Sequence, residues 1–124
     1  MKTLVVDLDD TICSKVIGEE YCNARPNLEL IEKLKEYKKL GFRIVINTSR
    51  NMRTYRGNVG EINKYTLPVI VQWLDIHLPF YDEIYVGKPW CGFEGFYIDD
   101  RAIRPSEFVK NSYSQILDIL AGEK

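Results

Sequence analysis

Four short stretches of this chain are apolar and stop abruptly at polar residues. Leu4-Val5-Val6 ends at Asp7, Phe42 to Ile46 at Asn47-Thr48, Tyr81 to Val86 at Gly87-Lys88, and Gly95 to Ile98 at Asp99-Asp100. Runs of this length predict buried strands of a parallel sheet. Between the first two, Leu30, Ile31, Leu34, Tyr37 and Leu40 recur at helical spacing with Glu and Lys on the other face. Pro26 suits the first turn of that helix, Asn27 its cap and Gly41 its exit. A second helix is predicted over Leu67 to His77 with Pro68 in its first turn, and a short one over Ser112 to Leu120. Ile12 to Ala24 reads as a hairpin or flap over the end of the first strand, and Thr48 to Gly60 as a polar loop.

Strand, helix and strand in this order predict a βαβ unit with a parallel pair. The expected architecture is therefore α/β: a Rossmann-like parallel sheet between layers of helices. In such a sheet the polar residues just past each strand gather on one edge, where open α/β folds hold their ligands.

Length and charge narrow the picture. The 124 residues match the commonest size of a single domain, so one domain over 1–124 is expected. A net charge of −1 exerts no global pull toward nucleic acid or anionic membrane. No apolar run approaches the roughly 20 residues that span a bilayer, and the N-terminal run stops too early for a secretory signal. Cys13, Cys22 and Cys91 contain no Cys-x-x-Cys pair, which argues against a disulfide framework or a zinc site and fits reduced thiols in the cytoplasm.

The strand ends then supply the chemistry. Asp7, Asp9 and Asp10 would repel one another unless a cation neutralises them, and oxygen ligands select a hard divalent ion such as Mg²⁺. A lone end of this kind is an ordinary acidic turn; four complementary ones point to phosphate chemistry. Lys88 and Thr48 suit the oxygens of a transferring phosphoryl group. Asp7 can attack phosphorus, and Asp9, two residues on along an extended strand, can protonate the leaving alcohol and later deprotonate water. Leu8 points away into packing. Asp10 receives no role.

Asp7-Leu8-Asp9-Asp10-Thr11, Thr48, Lys88 and Asp99-Asp100 resemble the ordered motifs of haloacid dehalogenase superfamily phosphatases. Asn47 to Asn63 and Tyr81 to Phe108 further resemble small phosphatase-like proteins associated with bacterial capsular polysaccharide biosynthesis. The resemblance implies Asp7 as nucleophile and Mg²⁺ ligand, and Asp9 as general acid/base lending its main-chain carbonyl to the metal. It implies Thr48 and Lys88 on the phosphoryl oxygens, Asp99 as a direct metal ligand, Asp100 as a second or water-mediated one, and Thr11 orienting the acidic loop. The intervals between motifs leave no room for the cap domain that many relatives carry. An open site implies a bulky substrate, such as a phosphorylated sugar or nucleotide-sugar, or a homo-oligomer that covers it.

Arg50 and Asn51 come directly after the Thr48 strand end and are candidates for binding substrate. Arg53 and Arg56 read equally well as a solvated loop, Trp90 as a stacking platform or a packed aromatic, and His77 as a surface residue. Arg101 and Arg104 are candidates to pair with Asp99-Asp100 or a neighbouring subunit, and Cys13 is a small apolar filler. Two other classes are weighed. A catalytically idle homologue in a capsule assembly complex is disfavoured by the complete motif set. A phosphoacceptor receiver domain needs an Asp near Thr48, and between Arg43 and Tyr81 only Asp75 is available.

Overall fold

Val/Ile pairing builds the sheet, and helices of the same unit flank it. The computed structural model describes residues 2–14 and 23–123, so most of the expected flap, at 15–22, lies outside the described residues. Two compact units divide the chain, Met1–Trp90 and Cys91–Lys124.

In the first unit, β1 (Thr3–Val6) runs parallel to β2 (Arg43–Asn47) with Thr3 opposite Arg43 and Val6 opposite Ile46. β3 (Glu83–Tyr85) adds parallel to the other side of β2, with Ile46 opposite Ile84. The sheet among the described residues is thus a small open one in the order β1-β2-β3. Ile44, Val45 and Ile46 are all buried, as expected of a central parallel strand.

Helix α1 (Leu28–Lys39) buries Leu30, Ile31, Leu34 and Tyr37 of the face read from the sequence, while Leu40, also assigned to that face, caps the helix end and is exposed. Asn27 caps it, accepting the Leu30 N–H, and Gly41 leaves it at φ +94. At the far end of the sheet, Lys38 and the Ile44 N–H both donate to Asp82, which pins the start of β3 against α1 and β2.

The second helical region begins earlier than its sequence suggests. α2 (Val59–Glu61) is capped by Asn58, runs through a π-helical turn at Ile62–Thr66 and continues as α3 (Leu67–His77). Pro68 supplies the reason: it lacks an N–H and its ring crowds the preceding turn, so the helix widens there. The Leu67 N–H accordingly reaches back to the Ile62 carbonyl. Trp73 packs inward and donates its indole N–H to the Ala24 carbonyl at 2.9 Å, tying α3 to the segment before α1.

Two expectations are corrected. Gly95–Ile98 is not a strand, so the sheet has no fourth member among the described residues. β1 is not buried on both faces: it lies at the sheet edge, and Val5 is 64% exposed. Both have one cause, since a strand exists only where a neighbour takes its N–H and C=O groups and covers its faces.

The second unit holds α4 (Pro105–Lys110), which periodicity does not reveal, and α5 (Tyr113–Ala121). Ser112 and Gln115 cap α5 reciprocally, each side chain accepting the other's main-chain N–H. Ile116 is the one buried hydrophobic residue among those described in this unit.

Candidate functional site

The loops that leave β2 and β3 at their carboxyl ends are tied together by main-chain hydrogen bonds, and side-chain contacts join the loop after β1 to them. Thr48 N–H donates to the Tyr85 carbonyl at 3.0 Å, and Lys88 N–H to the Thr48 carbonyl at 3.2 Å. Gly87 makes the approach feasible: its φ is +86, and a Cβ there would meet Val59 at 3.0 Å.

The acidic loop winds tightly after Val6. The buried Leu8 directs its carbonyl at the N–H groups of Thr11, Ile12 and Cys13, at 3.2, 2.9 and 3.1 Å. Asp10 takes φ +60 to close this turn, a conformation Asp tolerates better than most residues, and that is a backbone reason for its presence. Asn27 works in both directions: its Oδ1 caps α1 while its Nδ2 donates to the Thr11 carbonyl at 3.1 Å. The start of α1 thereby braces the acidic loop.

These contacts bring Asp7, Asp9, Thr48 and Lys88 to one edge. Lys88 Nζ lies 4.0 Å from Asp7 Oδ1. Burial holds the Asp7 carboxyl above its ordinary value of 3.8, while Lys88 pulls it the other way. A carboxylate that is costly to ionise beside an ammonium is poised to gain from further positive charge. Thr48 is buried, and its Oγ1 accepts the Arg50 N–H at 3.0 Å.

Arg50, a substrate candidate by its place in the sequence, turns its side chain inward instead. Its Nη2 and Nε donate to the two oxygens of Asp9 at 2.7 and 3.1 Å, and only 2% of the side chain is exposed. The Cys13 thiol sits beside the pair, 3.7 Å from both Asp9 Oδ1 and Arg50 Nη2. Burial, and after it the Asp9 charge, pushes that thiol up to about 12, so it stays a neutral donor. Asn51 also turns to its own loop: at φ +63 it donates to Thr54 Oγ1 and accepts from Thr66 Oγ1, both at 3.1 Å. Arg53 and Arg56 are the exposed cations of this loop. His77 lies against Trp73 in a tilted ring contact, with 4.3 Å between centroids.

Asp99 and Asp100 belong to the second unit, where both are exposed and Asp99 Oδ1 accepts the Arg101 N–H at 2.8 Å. Among the described residues, no three His, Cys, Asp or Glu side chains form a group that could hold a metal ion. The Asp9–Arg50 pair leaves no signal in the sequence, because 41 residues separate its partners. The Asn27 cap is legible there; its second bond is not.

No protein-family model matches the chain, and no curated protein matches it. A crystal structure of a target protein from Vibrio cholerae is similar at 57% identity and a TM-score of 0.96, covering 100% of both chains. Among the described residues no helix is long and apolar enough to cross a membrane. With this identity over the whole of both chains, the chain belongs to one family with that Vibrio cholerae protein.

Proposed function

We propose that this protein is a Mg²⁺-dependent phosphomonoester hydrolase of the haloacid dehalogenase type, with a three-layer, capless fold, working through an aspartyl-phosphate on Asp7. The observation that carries this reading is the meeting of three parallel strand ends, with the Lys88 ammonium 4.0 Å from Asp7 Oδ1 and Thr48 bonded through its main chain to Lys88.

In this reading Asp7 and Asp9 divide the work. An Asp7 oxygen attacks phosphorus as the ester P–O bond breaks, and Asp9 gives a proton to the departing alkoxide. Asp9 then takes a proton from the water that attacks the aspartyl-phosphate, releasing inorganic phosphate and the Asp7 carboxylate. Lys88 and the Thr48 hydroxyl bind the phosphoryl oxygens as charge spreads over them. Arg50 holds Asp9 in place and so positions the acid/base.

The donor set suits Mg²⁺, which takes one or two carboxylates and leaves its other places to water and phosphate. Asp7 and the Asp9 main-chain carbonyl would hold it. When bound, the ion supplies charge neutralisation between the Asp7 carboxylate and the phosphate. The substrate in this reading is a phosphorylated sugar or nucleotide-sugar of capsular polysaccharide synthesis in the cytoplasm, as the resemblance of Asn47 to Asn63 and Tyr81 to Phe108 suggests.

One observation favours a second reading. Arg50 already engages both oxygens of Asp9, as it would in a catalytically idle subunit of a capsule assembly complex. Phosphate release from an aryl phosphate and a panel of sugar phosphates separates the two. Activity that needs Mg²⁺ and disappears in Asp7→Asn supports the hydrolase. Activity that survives Asp7→Asn or EDTA rejects this mechanism, and none on any substrate favours the idle subunit.

A further inference from the structure

The loop after β2 is fastened to the site at both ends. At its start, Arg50 grips Asp9, and Asn51 accepts the buried Thr66 hydroxyl at 3.1 Å, which docks the loop on the π-helical turn. At its finish, Val59 lies against Gly87, the residue before Lys88: a Cβ there would meet Val59 Cγ2 at 3.0 Å. The loop so held carries one ring of an aromatic pair. Tyr55 stacks on Tyr65 of the π-helical turn, with 5.9 Å between ring centroids and 28° between planes, and Tyr65 stays 54% exposed. Tyr has few rotatable bonds to order, so such a pair presents a flat, rigid surface at low entropic cost.

The same segment is basic. Residues 51–66 hold Arg53, Arg56 and Lys64 against Glu61 alone, in a chain whose net charge is −1. Glu61 is engaged at the start of α2, where its Oε1 accepts Asn58 Nδ2 at 2.8 Å. Lys64 Nζ stands 5.2 Å from the centroid of the Tyr65 ring. Arg56 takes φ +53, a region that Asp and Asn tolerate and Arg rarely enters. Bonds from the Gly57 N–H to the Met52 carbonyl and from the Asn58 N–H to the Tyr55 carbonyl hold it there, with its side chain exposed. Lys88 and Thr48 answer the phosphoryl group and Arg50 answers Asp9, so Arg56 and Lys64 offer charge beyond what one phosphate uses. A flat aromatic surface next to two cations suits a ligand that is aromatic at one end and multiply anionic at the other. We propose that Tyr55, Tyr65, Arg56 and Lys64 form a nucleotide-binding platform on the rim of the site, with the base stacked on the tyrosines and a diphosphate held by the cations. That this nucleotide is the part of the substrate bearing the phosphate ester rests on the hydrolase reading; nucleotide binding itself does not.

Calorimetric titration of the intact protein with UDP and with ADP tests the platform, uridine and pyrophosphate supplying the ring and the charge alone. Either nucleotide should bind at least about tenfold more tightly than uridine or pyrophosphate, with little preference between the two bases, since every base has a π face. Tyr65→Ala should weaken nucleotide binding by about tenfold, whereas Tyr65→Phe, which keeps the ring, should bind as wild type does. Arg56→Ala should weaken it by about threefold, an effect that fades at high salt. Pyrophosphate bound as tightly as UDP, no binding of either nucleotide, or equal affinity in Tyr65→Ala overturns the proposal. Where the hydrolase reading holds, UDP should compete with glycerol phosphate in phosphate release, and Tyr65→Ala should raise the inhibition constant by the same factor. Inhibition that is not competitive overturns the placing of the platform at this site. A protein that binds nucleotide as described and releases phosphate from no ester sinks the hydrolase reading and leaves the platform standing.

Discussion

Arg50 grips Asp9 through both carboxylate oxygens, at 2.7 and 3.1 Å, from a position with 2% of its side chain exposed. The pair joins the loop after β2 to the acidic loop after β1, so it is both a clasp and a support for the proposed acid/base. A planar fork does this where a Lys point charge does not. Arg50→Lys is expected to keep the fold and lower kcat by about tenfold to a hundredfold, through misplacement of Asp9. Arg50→Ala should cost about 2–3 kcal/mol in urea denaturation, because it leaves a half-buried carboxylate unpaired. Wild-type kcat in Arg50→Lys would reject the positioning role.

Asn27 has two separable tasks. Asn27→Ala should cost about 1–2 kcal/mol from loss of the cap and of the bond to the Thr11 carbonyl. Asn27→Ser keeps a good cap but is too short to reach Thr11. Its stability should fall by less than that of Asn27→Ala, while phosphate release falls because the acidic loop loses its brace. Equal activity in Asn27→Ser and wild type would show that the brace is dispensable.

Asp82 fastens the opposite end of the sheet. Its hydrogen bond from Lys38, and then that from the Ile44 N–H, hold its carboxyl below the ordinary 3.8. A depressed carboxylate contributes stability above its unfolded value, and that contribution is lost as pH falls through the folded one. Asp82→Asn should therefore be less stable than wild type by about 1 kcal/mol at pH 7, given its partial exposure. The gap should close in acid below the ordinary carboxylate range. A gap independent of pH would mean that shape, not charge, is lost.

Cys13 should be chemically silent. Burial and the Asp9 charge push its thiol up to about 12, and the thiolate is the reactive form. Alkylation at pH 8, read per residue by mass spectrometry, should label Cys91 at least about tenfold faster than Cys13. Labelling of Cys13 at the rate of Cys91 would show that the acidic loop opens readily.

Local pattern is enough to recover much of this protein. The β1–α1–β2 unit, the Asn27 cap, α3 and α5 are dictated by periodicity and capping within neighbouring residues. So is the placing of Asp7, Thr48 and Lys88 just past strand ends, because an apolar run must stop where the chain leaves the core. Tertiary structure decided the rest. Whether Leu4-Val5-Val6 is central or at an edge, and whether Gly95–Ile98 is a strand at all, depends on which backbone lies alongside, which no local signal carries. Arg50 likewise turns inward because Asp9, 41 residues away, offers a carboxylate where the two loops meet.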